Sequence, residues 1–234
     1  MSTPQASTTP GPRLYIRPQS SGRQKNGLRG DGLEDVISAE TREILSGCDA
    51  LLEGHFRYTS GRHGSVYFEK IRVAQHPGLV MRLAELMERR LEGLGEDVDM
   101  VCAPAFGALV FGFALAHRLE LPFAFLQRGS DERMKLRSGF TEVKAGRRVL
   151  MVEDVTTTGG SVRESMEVLE ERGLSISAVG LLVDRTGGEL DLGVPYRALL
   201  TVNAESWPPD ECPLCRRGME LQTPGSSSRK ARGG

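Results

Sequence analysis

The run Val149-Leu150-Met151-Val152-Glu153-Asp154-Val155-Thr156-Thr157-Thr158-Gly159-Gly160-Ser161 constrains the fold more than any other part of the chain. A strand apolar at nearly every position is covered on both faces, as in a parallel sheet between helices. This one ends in two adjacent carboxylates and passes through threonines and glycines into a helical pattern marked by Val162, Met166 and Leu169. Where a helix starts, unpaired backbone N–H groups and the helix dipole favour an anion. The glycines let backbone approach a phosphate, and the hydroxyls add donors. An ordinary capped helix accounts for Ser161 or a threonine, but not for Glu153-Asp154 at the end of so apolar a strand. Those carboxylates suit sugar hydroxyls beside a phosphate, with a metal nearby. The loop lacks the Gly-Lys-Ser or Gly-Lys-Thr of a Walker A sequence.

The flanking pattern agrees. Val36, Ile37, Ile44 and Leu45 recur at helical spacing, and 55–70 reads as two extended pieces about the turn Ser60-Gly61-Arg62-His63-Gly64. Leu79, Val80, Leu83, Leu86, Met87 and Leu91 share one helical face between Pro77 and Gly93, opposite Arg82, Glu85 and Arg89. Short strands are expected at 98–102, 122–126, 148–155, 176–184 and 196–202. A helix over 107–119, apolar nearly all round, needs cover from other elements or a partner.

The 234 residues allow one α/β domain with at most a small appendage. A net charge of −1 gives no bulk attraction to nucleic acid or an acidic membrane, and no apolar run is long enough to span one. Residues 1–34 are basic, rich in Ser, Thr, Pro and Gly and poor in large apolar side chains, so they read as a disordered arm; a transit peptide fits less well. The expected domain is 35–222, with a short disordered tail over 223–234. Cys48 and Cys102 stand alone in apolar surroundings, and a reducing cytoplasm is expected. Cys212-Pro213-Leu214-Cys215 has zinc-ligand spacing, but no histidine lies near it in sequence. Two chains could complete a zinc site across a dimer; a tight turn or a redox pair are the other readings.

The 149–161 run resembles the phosphoribosyl pyrophosphate signature of type I phosphoribosyltransferases. Gly54-His55-Phe56-Arg57-Tyr58-Thr59-Ser60-Gly61-Arg62, Ser65-Val66-Tyr67-Phe68-Glu69-Lys70, Ala103-Pro104-Ala105-Phe106-Gly107-Ala108 and Leu182-Val183-Asp184-Arg185 are similar to segments of the orotate phosphoribosyltransferase family, in its longer-tailed branch. The resemblance implies an α/β type I phosphoribosyltransferase fold, with a mostly parallel central sheet flanked by helices and a small hood. It implies transfer of phosphoribose from phosphoribosyl pyrophosphate to orotate, in pyrimidine biosynthesis, with Mg²⁺ as cofactor and a homodimer sharing an active-site loop. Glu153 to Ser161 would hold phosphoribosyl pyrophosphate; Thr157, Arg185, Tyr67 and Phe68 would face orotate. Arg128, Arg133, Lys135 and Arg137, in the cationic segment 127–140, would form a mobile lid over the pyrophosphate. Thr59 and the loop Phe106-Gly107-Ala108 depart from the better-known branch, which carries lysines at both places. A phosphoribosyltransferase for another base, or a non-catalytic sensor of phosphoribosyl pyrophosphate, would share the phosphate loop.

Overall fold

In the computed structural model the described residues are 31–58, 60–94 and 98–224. The expectations for residues 1–30, Thr59 and 225–234 lie outside them. Helix α1 (Asp31–Gly47) takes in the last four positions that composition assigned to the arm.

The central sheet contains β3 (Met100–Pro104), β4 (Phe123–Arg128), β5 (Met134–Leu136), β6 (Arg148–Thr156), β7 (Ser175–Asp184) and β8 (Tyr196–Thr201), in the order β5-β4-β3-β6-β7-β8. All neighbours run parallel except β5, which pairs antiparallel with β4 at the edge. Alternation along the strands sends side chains to two cores. Val101, Ala103, Leu150, Val152, Ala178 and Leu182 pack with α1, α3 (Pro77–Arg90) and α4 (Leu109–Leu119). Met100, Cys102, Val149, Met151, Val179 and Leu181 pack with Val162, Met166 and Leu169 of α5 (Gly160–Glu170). Helices therefore cover both faces, as the apolar strands required. The expected strands at 98–102 and 122–126 each sit about two residues further on.

The hood is a three-stranded antiparallel sheet, β1 (Leu51–Arg57), β2 (His63–Phe68) and the two-residue β9 (Ser206–Trp207), in the order β1-β2-β9. A short helix α2 (Lys70–Ala74), absent from the sequence reading, leads from the hood to α3. Past β9 the chain makes α6 (Pro213–Arg216) and then pairs Gln222 with Phe56 on the outer edge of β1. The hood is thus flanked on both edges by the C-terminal segment.

Segment 127–140 differs from the loop expected there. Met134 and Leu136 are buried in β5, and Phe140 meets Phe125 edge to face at 5.3 Å. The alternation Met-Lys-Leu puts two apolar side chains inward and Lys135 outward, a strand signal masked by the charges around it.

Candidate active site

The parallel strands β3, β4, β6, β7 and β8 end on one edge of the sheet, where ligands of open α/β folds bind. Glu153 and Asp154 lie near that end of β6 and are 5 % and 4 % exposed. Burial, with Asp154 alongside, pushes the Glu153 carboxyl up to about 8. The Glu153 Oε1 accepts from the Asp154 N–H at 3.0 Å, and Asp154 Oδ1 accepts from the Val155 N–H at 2.7 Å. Beyond them, buried Thr156 Oγ1 accepts from the Gly159 N–H at 3.0 Å and closes the turn. Gly159 takes φ +77°, which favours glycine, and stands immediately before α5. Thr157, Thr158, Gly160 and Ser161 are exposed around this helix start.

Asp154 has a partner the sequence reading passed over. Lys70 Nζ lies 2.7 Å from Asp154 Oδ2. Burial works against the lysine charge, but Asp154, Glu153 and Glu69 outweigh it and hold the ammonium above its ordinary value. Gly107, in the loop after β3, lies against this pair: a Cβ there would collide with Asp154 Oδ2 and Lys70 Nζ. The loop thus obtains a cation from α2 rather than from its own sequence. The only sequence signal was Lys70 itself, at the end of the hood segment.

Arg185 follows β7 directly and its N–H donates to the Thr156 carbonyl at 2.9 Å, which ties it to the threonine-glycine turn. Its Nη2 donates to Tyr58 Oη at 2.7 Å, and its guanidinium carbon lies 4.8 Å from the centre of the Tyr58 ring. Among the described residues its buried Nε has no hydrogen-bond partner. Tyr58 in turn donates to the Val66 carbonyl at 2.6 Å, so the hood fixes the ring. Tyr67 and Phe68 stand differently: Tyr67 packs on Phe56 with ring centres 5.7 Å apart, and Phe68 packs on the main core. The aromatic neighbour of Arg185 is Tyr58, which the hood turn carries.

The four cations expected to form a lid are divided in their surroundings. Arg128 forms a paired contact with Glu164 of α5, at 2.7 and 3.2 Å, and Glu164 Oε1 also accepts from the Met134 N–H. Lys135 Nζ lies 2.8 Å from Asp131 Oδ2. Arg133 and Arg137 are exposed. Arg128 therefore braces the β4–β5 hairpin on α5, while the other three face outward.

The Cys212-Pro213-Leu214-Cys215 turn overturns one premise of the sequence reading. The fold brings His55 and His63 to it from the hood, and the four candidate ligand atoms lie within 4.8 Å of one another in a single chain.

A carboxylate-ended strand, a glycine-capped helix start and an adjoining cation, all on one edge of this sheet, define a phosphoribosyl transferase domain, and the family model of that description matches residues 72–210. Within that class the chain belongs to the orotate phosphoribosyltransferase family. It is 44 % identical over 186 residues to the orotate phosphoribosyltransferase of Caldicellulosiruptor saccharolyticus, covering 79 % of this chain and 94 % of the relative. It is 40 % identical over 189 residues to that of Thermotoga maritima, covering 81 % and 99 %. Among solved structures, orotate phosphoribosyltransferase from Aeropyrum pernix superposes with a TM-score of 0.59 at 28 % identity, covering 68 % of this chain and 92 % of that one. No helix among the described residues is long and apolar enough to cross a membrane.

Proposed function

We propose that the chain transfers phosphoribose from phosphoribosyl pyrophosphate to N1 of orotate, giving orotidine 5′-monophosphate and pyrophosphate, a step of pyrimidine biosynthesis. The observation that carries the base assignment is Arg185. Its guanidinium is stacked on Tyr58, tied to the 156–161 turn through its own backbone, and has a buried donor with no partner among the described residues. A planar cation so held suits a carboxylate beside a polar ring edge.

The N–H groups and hydroxyls of 156–161 receive the 5′-phosphate, and Glu153 and Asp154 accept from the ribose hydroxyls. Thr157, exposed beside this turn, faces orotate in this reading. Mg²⁺ would enter with phosphoribosyl pyrophosphate and need few protein ligands, and the buried Asp154 carboxylate at the strand end is the hard oxygen donor nearest to hand. Bound there, Mg²⁺ would neutralise charge on the pyrophosphate. The bond from C1 to the pyrophosphate oxygen breaks as the bond from orotate N1 to C1 forms; N1 gives up its proton to solvent and pyrophosphate leaves with the electron pair of the broken bond. The protein contributes position and charge rather than a nucleophile. Lys70 adds positive charge beside Asp154, and Arg133, Lys135 and Arg137 add more as the hairpin closes and water leaves.

A homodimer and a cytoplasmic setting belong to the same reading. Phe106, Ile71 and Phe113 are 83 %, 70 % and 60 % exposed, and with Val110 they line the α2 and α4 side of the pyrophosphate loop. Such side chains favour a second copy over water. Light scattering should give twice the chain mass, and Phe113→Asp should shift it toward one.

The reaction is tested by incubating the protein with Mg²⁺, phosphoribosyl pyrophosphate and, separately, orotate, uracil, adenine, hypoxanthine and guanine. Turnover with orotate alone is expected. Turnover with a different base would leave the sugar site standing and overturn the base assignment.

A further inference from the structure

His55, His63, Cys212 and Cys215 are not used by the reaction; the histidines come from the two strands of one hairpin and the cysteines from a helix about 150 residues later. His55 is on β1, His63 opens β2, and the cysteines flank the first turn of α6. His55 Nε2 lies 3.1 Å from His63 Nδ1, 3.4 Å from Cys212 Sγ and 3.7 Å from Cys215 Sγ, and Cys215 Sγ lies 3.3 Å from His63 Nδ1. In a zinc tetrahedron with Zn–N of ~2.0–2.1 Å and Zn–S of ~2.3 Å, nitrogen and sulfur stand about 3.5 Å apart and two nitrogens about 3.3 Å apart. These four of the six edges lie within about 0.2 Å of those figures, and all four ligand atoms lie within 4.8 Å of one another. The remaining nitrogen of His55 is 2.9 Å from the Met219 carbonyl. Nδ1 donating there leaves Nε2 as the bare lone pair pointing into the cluster, the usual way a ligand histidine is oriented. His55, His63 and Cys212 are buried.

We propose that these four side chains form a structural Cys2His2 zinc site within one chain. Two thiolates and two imidazoles select zinc over Mg²⁺ or Ca²⁺, and four protein ligands leave no open position for substrate. The site has a mechanical purpose. The hood is a small sheet, and sheets of this size need packing or a staple for stability. The C-terminal segment already pairs with both hood edges, through Ser206–Trp207 on β2 and Gln222 on β1. Zinc would fasten that segment to both strands at once. The same hairpin carries Tyr58 to Arg185, so the metal would hold the hood side of the base pocket without touching substrate. The inference rests on this geometry and stands apart from the choice of base.

The test is metal analysis of the full chain by plasma mass spectrometry after dialysis, beside Cys215→Ser, His63→Asn and, as a control away from the cluster, Cys48→Ser. About one zinc per chain is expected in the unaltered protein and in Cys48→Ser, falling at least tenfold in the other two. Because a ligand variant can fail to fold, the unaltered protein is also stripped and refilled with Co²⁺. The visible bands of tetrahedral cobalt and a thiolate charge-transfer band are expected, with an unfolding temperature that falls on chelation and recovers with zinc. Half a zinc per chain would replace this site with one shared across a dimer and so overturn it. Absence of both zinc and the cobalt bands after reconstitution would reduce the cluster to a hydrogen-bonded group of thiols and imidazoles.

Discussion

At the scale of single residues the account turns on groups held in unusual surroundings. Removing Arg185 strips charged hydrogen bonds of about 1.5–3 kcal/mol, so Arg185→Ala should lower kcat/KM for orotate about ten- to a hundredfold and leave affinity for phosphoribosyl pyrophosphate nearly unchanged. Glu153 makes a prediction of the opposite kind. Its folded pKa lies above the unfolded one, so the folded state holds the proton between about 4.5 and 8, and stability without ligand falls as pH rises across that window. Glu153→Gln keeps the side-chain oxygen and removes the titration. At pH 9 it should unfold about 2–4 °C above the unaltered protein, the shift that ~1 kcal/mol produces in a chain of this size, with the advantage gone near pH 5. Scanning fluorimetry at the two pH values measures it; equal curves at both would place Glu153 in an ordinary polar environment. The carboxylates, the threonine-glycine turn and Arg185 were legible because each breaks the expected local pattern. Lys70 and Tyr58 were not, since a lysine after a strand and a tyrosine in a turn are ordinary until the fold sets them against Asp154 and Arg185.

At the scale of elements, the strand–turn–helix unit β6–α5 was readable because periodicity changes within a few residues, from continuous apolar to helical. The β4–β5 hairpin reads as a mobile loop in the sequence because charge dominates its composition and only Met134 and Leu136 anchor it. The proposed lid role rests on the exposed cations of that hairpin and the residues after it. Lys135→Ala and Arg137→Ala should each lower kcat about a hundredfold, the low end for losing one aimed charge, while KM changes far less. Normal turnover in both variants would remove the lid role. Arg128→Ala should act instead through the brace to Glu164, lowering stability of the hairpin. Elsewhere, Asp99 ties the start of β3 to Arg148 at the start of β6 through bonds of 2.9, 3.1 and 3.2 Å. Hydrogen bonds from Arg148 hold its carboxyl below the usual range. Its contribution is present above about pH 4 and lost as pH falls through the lowered value. Asp99→Asn should flatten that acid step, at a cost within about 1 kcal/mol at neutral pH because the pair is partly solvent-screened.

At the scale of the molecule, the sheet supplies a rigid edge and everything chemically specific is brought to it by segments that leave the sheet. The threonine-glycine turn and Arg185 follow the neighbouring strands β6 and β7, Lys70 arrives from α2, and Tyr58 arrives from the hood. The parallel layers were foreseeable from the apolar strands. The hood's closure by the C-terminal segment was not, because His55 and His63 stand about 150 residues from the cysteines they meet and no local pattern links them. The claim that one edge joins a sugar-phosphate site to an orotate clamp is tested most directly by comparing the unaltered protein with Arg185→Ala. Loss of orotate absorbance with Mg²⁺ and phosphoribosyl pyrophosphate would be followed beside calorimetric binding of phosphoribosyl pyrophosphate. Turnover of orotate by the unaltered protein, with at least a tenfold fall in kcat/KM and unchanged phosphoribosyl pyrophosphate affinity in the variant, is the predicted result. Orotate turnover indifferent to Arg185, or none at all in the unaltered protein, would contradict it.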